Sequence, residues 1–287
     1  MKIGLHLATF NPSDGDLRSG VKRVAQYADE NGFYSISPMD HFFQIGILGQ
    51  PEENMLEGYS VLNYVAAITE KIKLLTMVTG VVYRHPGALI KTVTTLDVLS
   101  GGRAYLGIGA AWNEPEAHGL GIPFPPLAER FERLEEVLQI AYQMWNDDTK
   151  PYQGKYYQLE QPINHPLAVS KPHPPILIGG SGEKKTLRMV AQYADAANFF
   201  MFPVEMLQHK LDVLKEHCDT VGRDFSEIEL TMTGHVDPKL SSSELIELFR
   251  SYNKLGISHL MLIIDGVYEI RPLETLAKEV IPTVEAF

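Results

Sequence analysis

Short apolar runs alternate with amphipathic segments along almost the whole chain. The runs at 2–7, 34–37, 73–79, 103–109, 175–178, 196–200, 228–236 and 259–264 have the length of buried strands. A segment with helical spacing follows each. The first carries Leu17, Val21, Val24, Ala25 and Ala28 as one stripe, and Gly32 closes it. Another opens at Pro126 and sets Leu127, Phe131, Leu134, Leu138, Ala141 and Trp145 on one side. A third places Leu207, Leu211, Leu214, Cys218 and Val221 on one face, which reads Cys218 as a small buried hydrophobe. Eight strand-then-helix units predict an α/β fold, a (β/α)8 TIM barrel spanning 1–287 as a single domain. A doubly wound open sheet uses the same alternation and is the alternative.

Two segments break the rhythm and read as loop insertions after strands two and four. Residues 40–57 carry His41, Phe42 and Phe43; residues 147–174 carry YQGKYYQLE, the pattern of a hairpin, and then a Pro- and His-rich connection. Long insertions of this kind are more often lids or binding loops than padding. No solenoid-period repeat and no low-complexity tract occurs.

Composition narrows the partners. The net charge is −11 with no block of like charges, which argues against a nucleic-acid or anionic-membrane surface. One cysteine permits no internal disulfide and fits a reducing compartment. The first ten residues enter a strand at once, and no apolar stretch reaches membrane-spanning length. A cytoplasmic protein is expected.

In a barrel, chemistry sits at the carboxyl ends of the strands. After strand five the chain reads Gly179, Gly180, Ser181, Gly182 and then turns helical near Glu183. Glycines let backbone N–H groups approach an anion, and a helix start adds unpaired N–H groups, so the stretch suits a phosphate. A tight strand-to-helix turn needs glycine too, and on local sequence the two readings stand level. Asp40 and His41 follow strand two; imidazole can move a proton near neutral pH. Thr79, Gly80 and Val81 end strand three, and small residues from Gly109 to Ala111, with Asn113 just beyond, end strand four, leaving room for a flat ring system. His6, Asn198 and His235 occupy inward strand positions and are candidate pocket residues. The histidines show no HxH or HExxH spacing, and no GxSxG elbow occurs, so neither a metal site nor a serine hydrolase is expected.

Taken together, these stretches resemble the luciferase-like monooxygenase superfamily, and within it the branch of coenzyme F420-dependent oxidoreductases. The resemblance rests on MDHFFQ at 39–44, MLEGY at 55–59, TGVVYRHP at 79–86, TLDVLSGGRAYLGIGAAWNEPE at 95–116, FPPLAERFERLEE at 124–136, PHPPILIGGSGEKKTLRMVAQYADAAN at 172–198 and VGRDFSEIE at 221–229. It implies a barrel holding a flavin-like ring at the mouth, with Gly179 to Gly182 on the coenzyme phosphate. It places Asp40 and His41 near the ring, with His41 in proton transfer, and Asn113 against the coenzyme. It further implies a non-prolyl cis peptide in Thr79-Gly80-Val81, expected at Gly80–Val81, and a homodimer. Asp97, Ser100 and Arg103 match the family as structural residues, a helix end and a salt-bridged turn. Sugar-phosphate dehydrogenases of the branch carry a glutamate acid where this chain has Ala110, which speaks against a sugar phosphate as substrate. The expected activity is hydride transfer between F420 and a small organic substrate. An FMN-dependent monooxygenase is the alternative within the family, and a non-catalytic flavin-binding protein the alternative outside it.

Overall fold

The computed structural model describes residues 1–287. Its strands are β1 (Lys2–Leu7), β2 (Ser35–Pro38), β3 (Lys73–Leu74), β4 (Thr79–Gly80), β5 (Leu106–Gly109), β6 (Tyr152–Gln153), β7 (Gln158–Leu159), β8 (Ile176–Gly179), β9 (Ala196–Phe200), β10 (Glu229–His235) and β11 (His259–Ile263). Between them run α1 (Leu17–Glu30), α2 (Gly58–Ile68), α3 (Pro86–Ser100), α4 (Glu114–Gly119), α5 (Leu127–Trp145), α6 (Thr186–Tyr193), α7 (Val204–Val221) and α8 (Ser242–Asn253).

Nine strands pair in the order β3-β2-β1-β11-β10-β9-β8-β5-β4, and every pairing among them is parallel. The two ends of that order, β3 and β4, are consecutive pieces of residues 73–80. A parallel bridge joins Leu74 to Ala104, with Leu74 N–H donating to Arg103 O and Tyr105 N–H to Leu74 O, each at 2.9 Å. The sheet therefore curls back until its ends meet, which an open doubly wound sheet does not do. The YQGKYYQLE stretch forms the antiparallel β6–β7 pair.

Alternation along the strands divides the interior in two. Ile3, Leu5, Leu7, Ile36, Ile176, Ile178, Phe199, Leu230, Leu260 and Leu262 meet the helical stripes in one large core, which also takes Val21, Val24, Ala25, Ala28 and Cys218. Opposite positions point into the barrel, where Leu75, Met77, Leu177, Ala196 and Met261 pack together. Stripe ends overshoot the sheet: Leu127, first in α5, is 54% exposed, and Val221, last in α7, is 40% exposed.

The apolar run 73–79 is not one strand. Residues 75–78 are irregular between β3 and β4, although Leu75 N–H still reaches Ile36 O (3.4 Å) and Met77 N–H reaches Pro38 O (3.0 Å). The non-prolyl cis peptide is Met77–Val78, and the expected Gly80–Val81 bond is not cis. The break presses inward on neighbouring strands. A Cβ at Gly107 would lie 2.0 Å from Thr76 O, one at Gly109 3.1 Å from Val78 Cγ2, and one at Gly179 2.9 Å from the same atom. Gly107 and Gly109 of β5 and Gly179 of β8 thus make room for this bulge.

Two buried residues pin the outer connections. Asp97 accepts from Val169 N–H at 2.7 Å, Ser170 N–H at 2.9 Å and Ser170 Oγ at 2.6 Å, which ties the long connection before β8 to α3. Arg103 forms no ion pair, contrary to the salt-bridged turn expected from sequence. Its guanidinium donates to Ser100 O (2.8 Å), Thr69 Oγ1 (2.9 Å), Ile72 O (3.1 Å), Ala66 O (2.9 Å) and Thr69 O (3.0 Å). The carbonyls at the ends of α2 and α3 have no other donor of this reach, so a cation serves as their cap. A lysine has three donors on one nitrogen and cannot span this set. Arg103→Lys should therefore cost about 2–4 kcal/mol in urea unfolding, from acceptors left unpaired in the interior. A change below experimental error would contradict this capping role.

Candidate active site

Parallel strands bring the loops after β1, β2, β4, β5, β8, β9, β10 and β11 to one edge of the curled sheet. The residues of interest sit on those loops, or one position inside them.

Asp40 and His41 leave β2 in opposite directions. The Asp40 side chain is fully buried, and Arg84 grips it with Nη1–Oδ2 at 2.5 Å and Nη2–Oδ1 at 2.8 Å. Arg84 also bonds Glu57 and lies 4.7 Å over the Tyr59 ring. Burial pushes the Asp40 carboxyl up, and the Arg84 fork acts against it. Against a guanidinium that never gives up its charge, the two form an ion pair at neutral pH. Both oxygens of Asp40 are thereby occupied, and the residue fixes the start of the 40–57 segment.

His41 turns to α4. Its Nδ1 lies 2.6 Å from Glu116 Oε1, and its ring meets Trp112 edge-on at 5.4 Å between centroids. Glu116 is buried and accepts further hydrogen bonds from Tyr83 Oη, Phe42 N–H at 2.9 Å and Phe43 N–H at 3.2 Å. Burial pushes the Glu116 carboxyl up, but His41, Tyr83 and the Phe42 amide outweigh it and hold it below the usual value. A carboxylate acceptor on Nδ1 leaves the Nε2 atom of His41 as the one facing outward.

His6 stands beneath the mouth. Gly4, the preceding inward position of β1, faces Ser35 and His259, so His6 points into the same interior one layer nearer the mouth. Its Nδ1 donates to Ser37 O at 2.7 Å, and the ring is buried at 7% exposure. Burial lowers its pKa to about 4, outweighing the Ser37 carbonyl, which acts to raise it. The imidazole is neutral at pH 7 and presents Nε2 as an acceptor. Asn198 is also inside, donating to Thr231 Oγ1 at 2.9 Å. His235 lies at the rim, paired with Asp265 at 2.9 Å.

The sequence-predicted phosphate turn separates into parts with different tasks. Gly179 accommodates Val78, as described above. Gly180 has φ +114°, a conformation L side chains rarely adopt, and its N–H is already bonded to Asn198 O at 3.1 Å. The amides of residues 181–186 have no acceptor in the protein. Helix α6 starts at Thr186 rather than near Glu183, and the intervening turn is fastened by His217 Nε2 against Glu183 O at 2.7 Å. An anion placed there would meet several N–H groups and the positive end of a helix.

The expected ring-backing residues are rearranged. Thr79 is buried, its Oγ1 bonded to Tyr59 Oη at 2.9 Å and Thr76 Oγ1 at 2.8 Å; Gly80 and Val81 are buried as well. Half-buried Val78, against Gly109 and Gly179, offers surface to the mouth instead. Ala110 is half-buried, and its carbonyl accepts from Arg130 at 3.1 Å. The Asn113 side chain caps no helical amide. Trp112 and Phe200, 62% and 61% exposed, add apolar surface. Two hollows elsewhere, one around Met1, Asp29 and Lys71 and one around Glu132, Gln139 and Tyr152, hold none of these residues. No helix is long and apolar enough to cross a membrane.

Comparison with known proteins shows the family and the fold. A family model described as luciferase-like monooxygenase matches residues 1–265. An F420-dependent glucose-6-phosphate dehydrogenase of Microbacterium testaceum is 33% identical over 80% of this chain and 68% of its own length. An FMNH2-dependent dimethylsulfone monooxygenase of Pseudomonas putida is 27% identical over 56% of this chain and 43% of its own. An uncharacterized protein of Mycobacterium bovis is 32% identical over 59% of this chain and 58% of its own, so the chain spans about half the length of these last two relatives. Among solved structures, monooxygenase RslO1 from Streptomyces bottropensis superposes with TM-score 0.83 at 18% identity, covering 99% of this chain and all of that one. An F420-dependent secondary alcohol dehydrogenase superposes with TM-score 0.82 at 18% identity, covering 99% and 98%. At such identities the likeness is one of fold.

The buried histidines predict an acid response. His6 titrates at about 4 and His259, buried beside Ser35, at about 3, against 6.5 for an ordinary histidine. As pH falls, the unfolded chain binds these protons first. Their contribution is complete above pH 6.5 and is lost toward pH 4, at up to about 1.4 kcal/mol per pH unit for each histidine. Urea unfolding between pH 6.5 and 5 should show this slope, and His6→Phe should reduce it by about half. An unchanged slope would remove His6 from the acid response.

Proposed function

Because the chain belongs to the luciferase-like monooxygenase family, we propose that it is an oxidoreductase using coenzyme F420, with FMN as the alternative coenzyme. Reading 73–80 as one interrupted strand makes the sheet a (β/α)8 barrel, and the coenzyme ring lies in its mouth. The observation that carries this reading is the run of unpaired amides at 181–186, on the same edge of the sheet as His41. Such a run fits the phosphate that F420 and FMN both carry. Ser181 and Gly182 hold it, Gly180 sets the turn, and Val78, Ala110 and Asn113 border the ring.

F420 is favoured by the match to an F420-dependent relative over 80% of this chain, against 56% for the FMNH2-dependent one. Lys184 and Lys185 next to the amides suit the acidic tail of F420. When bound, the deazaflavin ring would supply hydride chemistry. The protein orients it, excludes water, and moves the accompanying proton through His41 Nε2. Asp40 touches no substrate in this account; through Arg84 it positions the segment that carries His41. Ala110 puts no carboxyl at the position next to the end of β5, and the substrate is a small organic molecule other than a sugar phosphate.

Fluorescence titration with F420, FMN and phosphate-free riboflavin tests the reading. F420 should bind more tightly than FMN, and riboflavin more weakly than either. Tighter binding of FMN would transfer the assignment to the monooxygenase alternative, and equal binding of riboflavin would remove the phosphate from 181–186. His41→Gln should leave F420 affinity nearly intact and lower turnover by roughly 10²–10⁴. Full turnover would take His41 out of the mechanism.

A further inference from the structure

We infer that Glu116 is a positioning residue that fixes the tautomer of His41, keeping its proton on Nδ1 and its lone pair on Nε2 toward the mouth. The inference rests on His41 as the proton-handling residue of the proposed function. Its test reads the imidazole alone, without coenzyme or turnover, so the two can fail separately.

The argument is one of donors and acceptors around a single buried carboxylate. Glu116 Oε2 receives the amide N–H groups of Phe42 (2.9 Å) and Phe43 (3.2 Å). Backbone amides only donate, so this oxygen must accept. Oε1 faces His41 Nδ1 at 2.6 Å and the Tyr83 hydroxyl. Burial pushes the Tyr83 phenol far up, and the Glu116 hydrogen bond pushes it the same way, so Tyr83 keeps its proton and donates it. An ionised carboxylate has only acceptors to offer, and Nδ1 is therefore protonated. The neutral ring then carries its lone pair on Nε2. When Nε2 takes up a proton, the positive charge formed faces the Glu116 carboxylate across a short hydrogen bond.

The charged and titratable groups around His41 leave the assignment to Glu116. From β1 comes His6, neutral and bonded through its own Nδ1 to Ser37 O. Asp40, adjacent in the chain, is turned away and gripped by Arg84. Tyr83 is protonated, and Trp112 contributes an uncharged ring edge. None of these offers Nδ1 an acceptor. Glu114, two residues before Glu116 on α4, is exposed and faces His118 instead.

This geometry makes Glu116→Gln an inverting substitution. The glutamine has one oxygen and one NH2 group in place of two oxygens. Its oxygen is required by the Phe42 and Phe43 amides, so its NH2 faces His41. Nδ1 must then be the acceptor, and the ring proton moves to Nε2. A histidine held in the wrong tautomer cannot take a proton at its outward nitrogen, a loss of roughly 10⁴ in rate where measured in a serine-protease triad.

Long-range ¹H–¹⁵N spectra of the full chain, with the His41 signals assigned by their loss in His41→Gln, decide the matter. Wild type near neutral pH should show His41 protonated at Nδ1 and bare at Nε2. Glu116→Gln should show the reverse, and Tyr83→Phe should keep the wild-type pattern, since tyrosine only donates to the carboxylate. A wild-type His41 protonated at Nε2 alone overturns the inference directly, even if Glu116→Gln fails to fold. A folded Glu116→Gln protein with the wild-type tautomer overturns it as well.

Discussion

Parallel pairing around a sheet that closes on itself is the constraint from which the rest follows. It sends every strand's carboxyl end to one edge and every return helix to the outside. Residues far apart in sequence, such as Asp40, Arg84, Glu116 and Gly180, are thereby brought to one edge of the sheet without any local motif requiring it. At 75–78 the β3–β4 run packs closely against β5 and β8. Neighbouring strands answer with Gly107, Gly109 and Gly179, because a Cβ at any of them would strike the bulge.

Charge near the mouth is sorted into two kinds. The Asp40–Arg84–Glu57 cluster is internally neutralised and holds the loop after β2 in place. Glu116 gathers a histidine, a tyrosine and two amides around one carboxylate, and only the histidine keeps a free polar atom toward the opening. The amides at 181–186 provide the complementary feature, donors without acceptors. Val78, Trp112 and Phe200, on the same edge of the sheet, leave apolar surface open. In the proposed function proton handling falls to His41 and anion binding to residues 181–186.

Much of this was legible in the sequence, and what was not has physical reasons. Strand positions and helical stripes follow from periodicity, so Cys218 lies in the core, where its spacing put it. His41 and the glycine turn stand out because few residue types serve a proton shuttle or an open backbone. The break at 75–78 does not, since Leu-Thr-Met-Val is as apolar as a strand and its close neighbours in β5 and β8 are remote in the chain. The packing of Gly179 against Val78 is equally hidden, because Val78 is remote in the chain. Glu114 and Glu116 are alike on paper, and only the packing of α4 buries one and exposes the other. Arg103 was read as an ion-pair partner because its charge is visible in sequence and the helix-end carbonyls it caps are not.

The central claim is that residues 181–186 receive the phosphate of a coenzyme seated in the mouth. Amide hydrogen exchange on the chain, with and without saturating F420, tests it most directly. The account predicts that exchange at 181–186 slows sharply when F420 is bound, while the amides of the β6–β7 hairpin are unaffected. Binding of F420 with unchanged exchange at 181–186 would contradict it.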